Sequence, residues 1–191
     1  MNDVYSRIST SILTDNVPIL TNTHFKFLFA FCFLAVLRTE IAMADASFEK
    51  EFLDTHNEYR SKHQAPPLTL SRDLCDSAQS WADHLLSIKT LEHSDTKNGE
   101  NLYYAWSSGP KNLTGKEAVD NWYSEIKDYN FSSPGFASNT GHFTQVVWKD
   151  TTEVGVGLAT DGQTVYVVGQ YNPAGNMSNE GYFKNNVLSE A

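Results

Sequence analysis

The spacing of apolar positions changes along the chain, and each change predicts an element. Phe48, Phe52, His56, Tyr59 and His63 fall three or four residues apart behind Ser47, a plausible N-cap followed by Glu49. That spacing predicts a first helix, stopped by Pro66-Pro67. Behind Ser71, the residues Leu74, Ala78, Trp81, Leu85 and Ile88 form one stripe at i, i+4, i+7, i+11 and i+14, which predicts a second helix. A third begins at Thr114-Gly115-Lys116-Glu117, where Thr114 can cap and Glu117 can reach back. It carries Ala118, Trp122, Ile126 and Tyr129 on one face and ends before Phe131 to Pro134.

Beyond Pro134 the period falls to two. Phe143 to Trp148 reads as a strand, then Val154, Val156 and Leu158 alternate with glycines, then Val165 to Tyr171 follow. Asp161-Gly162 between the last two runs is a hairpin signal. Helices first and a hairpin last predict an α+β fold, with helices packed on an antiparallel sheet.

At 191 residues the chain can bury one sizeable core, so a single domain from Ser47 onward with an appendage is expected. In the first 44 residues Arg7, Lys26 and Arg38 cancel Asp3, Asp15 and Glu40, so the formal charge of −9 sits in the domain. Such a domain repels phosphate, which argues against nucleic acid as a partner.

Residues 1–46 form the appendage. Phe25 to Leu37 is nearly all apolar, the length of a signal-peptide core and too short for a relaxed span of about 20 residues. Ala42-Met43-Ala44 supplies the small-x-small pattern that signal peptidase cleaves, which puts cleavage after Ala44; Met43 as an internal start is the alternative. The two cysteines are Cys32, in the apolar run, and Cys75, in the second helix. The domain therefore cannot close a disulfide internally, which points to the cytosol, whereas the apolar run points to the secretory route. The secretory route is the expectation, and Asn112, Asn130 and Asn176 then become glycosylation candidates. Cys75 reads as a buried thiol.

His93, Glu100, Glu125 and His142 stand in unusual local contexts and could form one divalent-metal or acid/base site. Read by itself, Glu125 is a solvated helix residue. Four stretches then carry a resemblance: His56-Asn57-Glu58-Tyr59-Arg60, Gly99-Glu100-Asn101-Leu102, Gly141-His142-Phe143-Thr144-Gln145-Val146-Val147-Trp148, and Tyr171-Asn172-Pro173-Ala174-Gly175-Asn176. In this order they resemble the signature segments of the CAP superfamily, in particular its disulfide-free, Golgi-associated branch.

The resemblance implies a three-layer α-β-α sandwich with an antiparallel central sheet. It also implies a central cleft lined by His93, Glu100, Glu125 and His142, with both histidines as ligands of zinc or another divalent cation. A lipid, sterol or protein partner, peripheral membrane association and a homodimer are implied too, at the cytosolic face of the Golgi membrane or in the cytoplasm if not in the secretory pathway. Neither Met1-Asn2 nor Met43-Ala44 offers the glycine that myristoylation needs. The residues from Tyr103 to Asn112 read as an expanded loop at the cleft rim.

The leading expectation is a non-enzymatic binding module. The competing one is a hydrolase in which His93 and Glu100 activate water on a metal, or a hydroxyl such as Ser107 or Ser108 if folding brings one near His93. A third is a self-associating scaffold with Tyr103, Tyr104 and Trp106 as a contact patch. In the first motif, Tyr59 reads as core and Arg60 as a structural donor.

Overall fold

The computed structural model describes residues 44–191. Cys32, the Phe25–Leu37 run, the first two residues of the cleavage motif and the internal start lie outside the described residues.

Helix α1, Ala46–Lys62, is capped by Asp45, whose carboxylate accepts from Phe48 N–H at 2.8 Å, and not by Ser47. Asp45 wins because an anionic oxygen is the stronger acceptor at a helix N-terminus. Helix α2, Arg72–Ile88, starts at Ser71 as expected, although the Ser71 side chain makes no capping bond. Its buried residues include Leu74, Ala78 and Leu85, while Ile88, at the end of the stripe, is exposed. Helix α3, Gly115–Tyr123, is capped by Thr114, which accepts from Glu117 N–H. Glu117 does not reach back; its carboxylate accepts from Lys111 Nζ and Tyr103 OH. A 3-10 turn, Ser124–Asp128, extends α3.

The sheet has four strands in the order β1-β3-β4-β2: β1 is Thr69–Leu70, β2 Gly99–Trp106, β3 Glu153–Thr160 and β4 Thr164–Asn172. Strands β3, β4 and β2 are antiparallel, and the two-residue β1 adds a parallel margin, so the sheet is mixed. The β3–β4 hairpin turns at Asp161-Gly162, where Gly162 takes φ 95°, a value open to glycine. Two elements depart from the expectation. Phe143 to Trp148 is not a strand: Gly141–Val146 is helix α4. Tyr103 to Trp106 is not loop but the second half of β2.

Alternation along the strands builds the layers. Gly155 and Gly157 face α2, and a Cβ at either would stand 2.3 Å from the α2 backbone, so these glycines set how closely the helix approaches. Leu102, Tyr166 and Val168 share that face with Ala78, Ala82 and Leu85. The opposite face carries Val154, Val156, Val165, Val167 and Tyr171 against Phe52, Trp122, Phe143 and Val146 of α1, α3 and α4. The result is the α-β-α sandwich, completed by the short helix α5, Tyr182–Asn186. Each fully buried residue of Val to Phe size contributes about 1.5–3 kcal/mol.

The first-motif residues hold this frame. Arg60 is fully buried and donates to the carbonyls of Pro66, Val146, Trp148 and Thr151 at 2.8–3.1 Å, as its reading as a structural donor anticipates. Burial draws its guanidinium down to about 10. Tyr59 is only half-buried; it stacks on Tyr123 at 3.6 Å and donates to Asp120. Cys75 is buried, and burial pushes its thiol up, as befits an unreactive cysteine.

Candidate functional site

Two imidazole–carboxylate pairs approach β2 from opposite faces. Glu100 lies on the face that α2 covers, and the next residue, Asn101, on the other. The Asn101 side chain donates to His142 O at 3.1 Å, so consecutive strand residues connect the two pairs.

In the first pair His93 Nδ1–H donates to Glu100 Oε1 at 2.8 Å. Ser94 N–H donates to Oε1 at 3.0 Å, Ser94 Oγ–H to Oε2 at 2.5 Å and Gln170 Nε2 to Oε2 at 3.2 Å. The Glu100 side chain is 4% exposed, whereas that of His93 is 64% exposed. Burial alone would raise the Glu100 carboxyl, but the bonds from His93, Ser94 and Gln170 outweigh it and hold the group below its ordinary value. The bond to Glu100 raises His93 in turn, against partial burial.

In the second pair His142 Nδ1–H donates to Glu125 Oε1 at 2.7 Å. The other oxygen, Oε2, accepts the main-chain N–H groups of His142 (2.9 Å) and Phe143 (3.1 Å), which open α4. These donors have no partner within so short a helix, and a carboxylate from the 3-10 turn satisfies both. Glu125 is therefore not a solvated helix residue.

The segment after β4 braces α4. Asn176 donates to Gly141 O and accepts from Thr144, and Gly175 N–H donates to Gln145. The amide of Asn176 is thus engaged, while Asn112 and Asn130 are exposed. Under the site runs a chain of neutral donors: Asn101 to Tyr171 OH (3.3 Å), Tyr171 OH to His56 Nε2 (2.9 Å), and His56 Nδ1–H to Phe52 O (2.8 Å). Burial pushes His56 down to about 3, so this imidazole stays neutral.

The fold thus pairs His93 with Glu100 and His142 with Glu125. Ser107 is elsewhere: it follows the far end of β2, seven residues from Glu100, or roughly 23 Å at about 3.3 Å per residue. Its N–H donates to Gln163 O. The site residues that sequence reasoning passed over are Ser94 and Gln170; Ser94 adjoins His93, but nothing in the sequence marks Gln170.

As to a divalent cation, a carboxylate only accepts, so the neutral form of each imidazole keeps its proton on Nδ1 and leaves the lone pair on Nε2. An unprotonated imidazole nitrogen is chemically suited to zinc. Among the described residues no three His, Cys, Asp or Glu side chains are grouped to hold an ion by themselves.

Residues 53–171 match the family model described as CAP, cysteine-rich secretory protein family. The chain is similar to Golgi-associated plant pathogenesis-related protein 1 of Homo sapiens, 51% identical over 151 residues, 76% of this chain and 95% of the relative. It is 36% identical to secreted protein RBT4 of Candida albicans over 154 residues, covering 75% of this chain and 41% of that protein. Relatives thus include a protein named for the Golgi and one named as secreted. Among solved structures BmVAL-1 aligns with a TM-score of 0.62 at 26% identity, covering 77% of this chain and 84% of that one. By the family model, the identity to these relatives and the shared fold, the chain belongs to the CAP, or cysteine-rich secretory protein, family.

Proposed function

We propose that the protein is a binding module whose cleft holds a divalent cation such as zinc on His93 Nε2 and His142 Nε2, beside a lipid, sterol or protein partner. One observation carries the reading: both imidazoles spend Nδ1 on a glutamate, at 2.8 and 2.7 Å, which orients each ring and raises its basicity. A cation so held would supply a positive charge with open coordination positions to an anionic or carbonyl group of the partner. Two protein ligands make an exchangeable site rather than a structural one.

An apolar rim supports the partner half of the reading. Exposed Phe136 lines a hollow of about 430 Å³ with Pro134 and Phe183, whose other walls include the polar Ser178, Glu180 and Lys184; Met177 and Tyr182, its neighbours along the chain, are exposed as well. Phe136 also packs against Gly141, next to His142. The hydrolase reading gains less: Ser94 is the hydroxyl beside Glu100, and a carboxyl held below its ordinary value is a poor base. The compartment belongs to the same proposal, a secretory route in which cleavage after Ala44 leaves Asp45, the cap of α1, as the first residue.

Calorimetric titration with zinc tests the cation. The expected outcome is saturable binding near pH 7.5, lost in both His93→Ala and His142→Ala. Binding that survives both substitutions would remove the cleft from the account.

A further inference from the structure

The segment after α5 closes over the ends of two helices. Leu188 to Ala191 runs beside His63, which caps the C-terminus of α1, and Tyr123, the last residue of α3. His63 Nδ1 lies 2.6 Å from Leu188 O, His63 Nε2 lies 2.9 Å from Tyr123 OH, and Tyr123 OH lies 2.9 Å from Glu190 Oε1. The main chain adds one bond, from Ala191 N–H to Lys62 O at 3.1 Å.

The three side-chain contacts are one proton short. Leu188 O and the Glu190 carboxylate only accept, and a neutral imidazole carries a single N–H. The His63 proton therefore sits on Nδ1, toward Leu188, and leaves a lone pair on Nε2. Tyr123 has one hydroxyl proton to give and two acceptors facing it, His63 Nε2 and Glu190 Oε1. Whichever it serves, the other contact sets lone pair against lone pair. One further proton, on Nε2, completes the chain: Nδ1–H to Leu188 O, Nε2–H to the Tyr123 oxygen, and Tyr123 O–H to Glu190.

We infer that His63, Tyr123 and Glu190 form a proton-linked clasp, in which uptake of one proton fastens residues 188–190 to the ends of α1 and α3. The ring takes the proton, because an imidazole titrates nearer neutrality than a carboxyl or a phenol. Tyr123 keeps its own, since burial and the bond to Glu190 push the phenol up. His63 is 1% exposed, so a charge there needs a counter-charge, and Glu190 supplies it through the phenol.

Burial lowers His63 below its ordinary value of 6.5, the bond to Leu188 and the charge of Glu190 raise it, and Lys62 lowers it again. From α4 the ring meets Phe143, and from the segment after the 3-10 turn Phe131, both uncharged. On α3, Asp120 is engaged by Tyr59 and Lys116; on α1, Glu58 is engaged by Lys62. The aromatic rings that bury His63 stay in place when the segment lifts, whereas both groups that favour the proton leave with it. A closed segment therefore binds the proton more tightly than an open one, and acid fastens the clasp. Global stability runs the other way: the His63 share is complete above the unfolded value near 6.5 and is lost as pH falls toward the lowered native one.

Native-state amide exchange on the full chain in zinc-free buffer tests the clasp, with the His63 ring followed by NMR from about pH 7.5 to about pH 5. The Ala191 amide is bonded while the segment lies on α1. Its protection factor is expected to rise about fivefold on acidification, with the midpoint of the His63 titration. Glu190→Gln separates the clasp from other effects of acid. The new amide N–H can donate to the Tyr123 oxygen, which frees the phenol proton for Nε2 and completes the chain with a neutral ring. Glu190 is exposed, so the substitution leaves the core untouched, and Ala191 protection should hold the parent's acid level at every pH. A parent chain whose Ala191 protection stays flat or falls with acid, or a Glu190→Gln chain that keeps the parent's rise, overturns the proposal.

Discussion

At Glu100 the carboxylate is held by a loop serine and by a glutamine from the neighbouring strand, and the imidazole it holds projects into solvent. At Glu125 it is held by two main-chain N–H groups of a helix that is itself braced from behind, and its imidazole is only one-third exposed. The chemistry of the two pairs is the same, but their support is not. Glu100 has one main-chain donor, Ser94 N–H, and otherwise side-chain clamps that can turn to water when the carboxylate is lost, whereas both donors to Glu125 Oε2 are main-chain groups at a helix start with fixed directions. The His142 side of the site is therefore the rigid half, and the His93 side the adjustable half.

The largest expected effect breaks the rigid half from beneath. Arg60→Met removes the buried guanidinium that holds Val146, Trp148 and Thr151, and is expected to cost about 3–5 kcal/mol in denaturant unfolding. The loss should reach α4 before β2, with amide exchange rising first at residues 141–148. Next comes the direct comparison of the carboxylates. Glu125→Ala strands two partly buried N–H groups and is expected to cost about 2–3 kcal/mol, against about 1–2 kcal/mol for Glu100→Ala. Equal costs would mean that the anchoring does not differ. Zinc affinity should fall about 10–100-fold in either variant, since each removes the group that orients a ligand.

The smallest effect is that of pH on the His93–Glu100 pair. His93 is raised, so its share of stability is complete below its unfolded value near 6.5 and is lost as pH rises through the raised native value. Glu100 is lowered, so its share is present above the ordinary carboxyl value and is lost as pH falls through the depressed one. Because His93 is largely exposed, the His93 part should stay below about 0.5 kcal/mol, read as a small decline in thermal stability as pH rises above neutrality. Zinc binding runs the opposite way and weakens as pH falls through the His93 value, because the protonated ring cannot ligate.

The helices and the hairpin were legible in the sequence because each buries one face, so that Leu74-Ala78-Leu85 and Val165-Val167 carry the periods of their elements. Helix α4 was not: Phe143, Thr144, Gln145 and Val146 are all buried, and a short element covered on every side shows no helical period. The second half of β2 failed for the converse reason, since Tyr104 and Trp106, on its outer positions, are exposed aromatics rather than polar residues. In the site, the four residues were named through their motifs, but the pairing was not legible. Glu125 meets His142 only because a 3-10 turn ends against the start of α4, a long-range contact that no local pattern encodes.

The central claim concerns two nitrogen atoms and can be read at them. A ¹⁵N spectrum of the histidine side chains, recorded with added zinc near pH 7.5, should show the Nε2 resonances of His93 and His142 shifting together while Nδ1 of both stays protonated and the buried His56 ring stays unchanged. Shifts at His93 alone, or none at either Nε2, would contradict a cation shared between the two halves of the cleft.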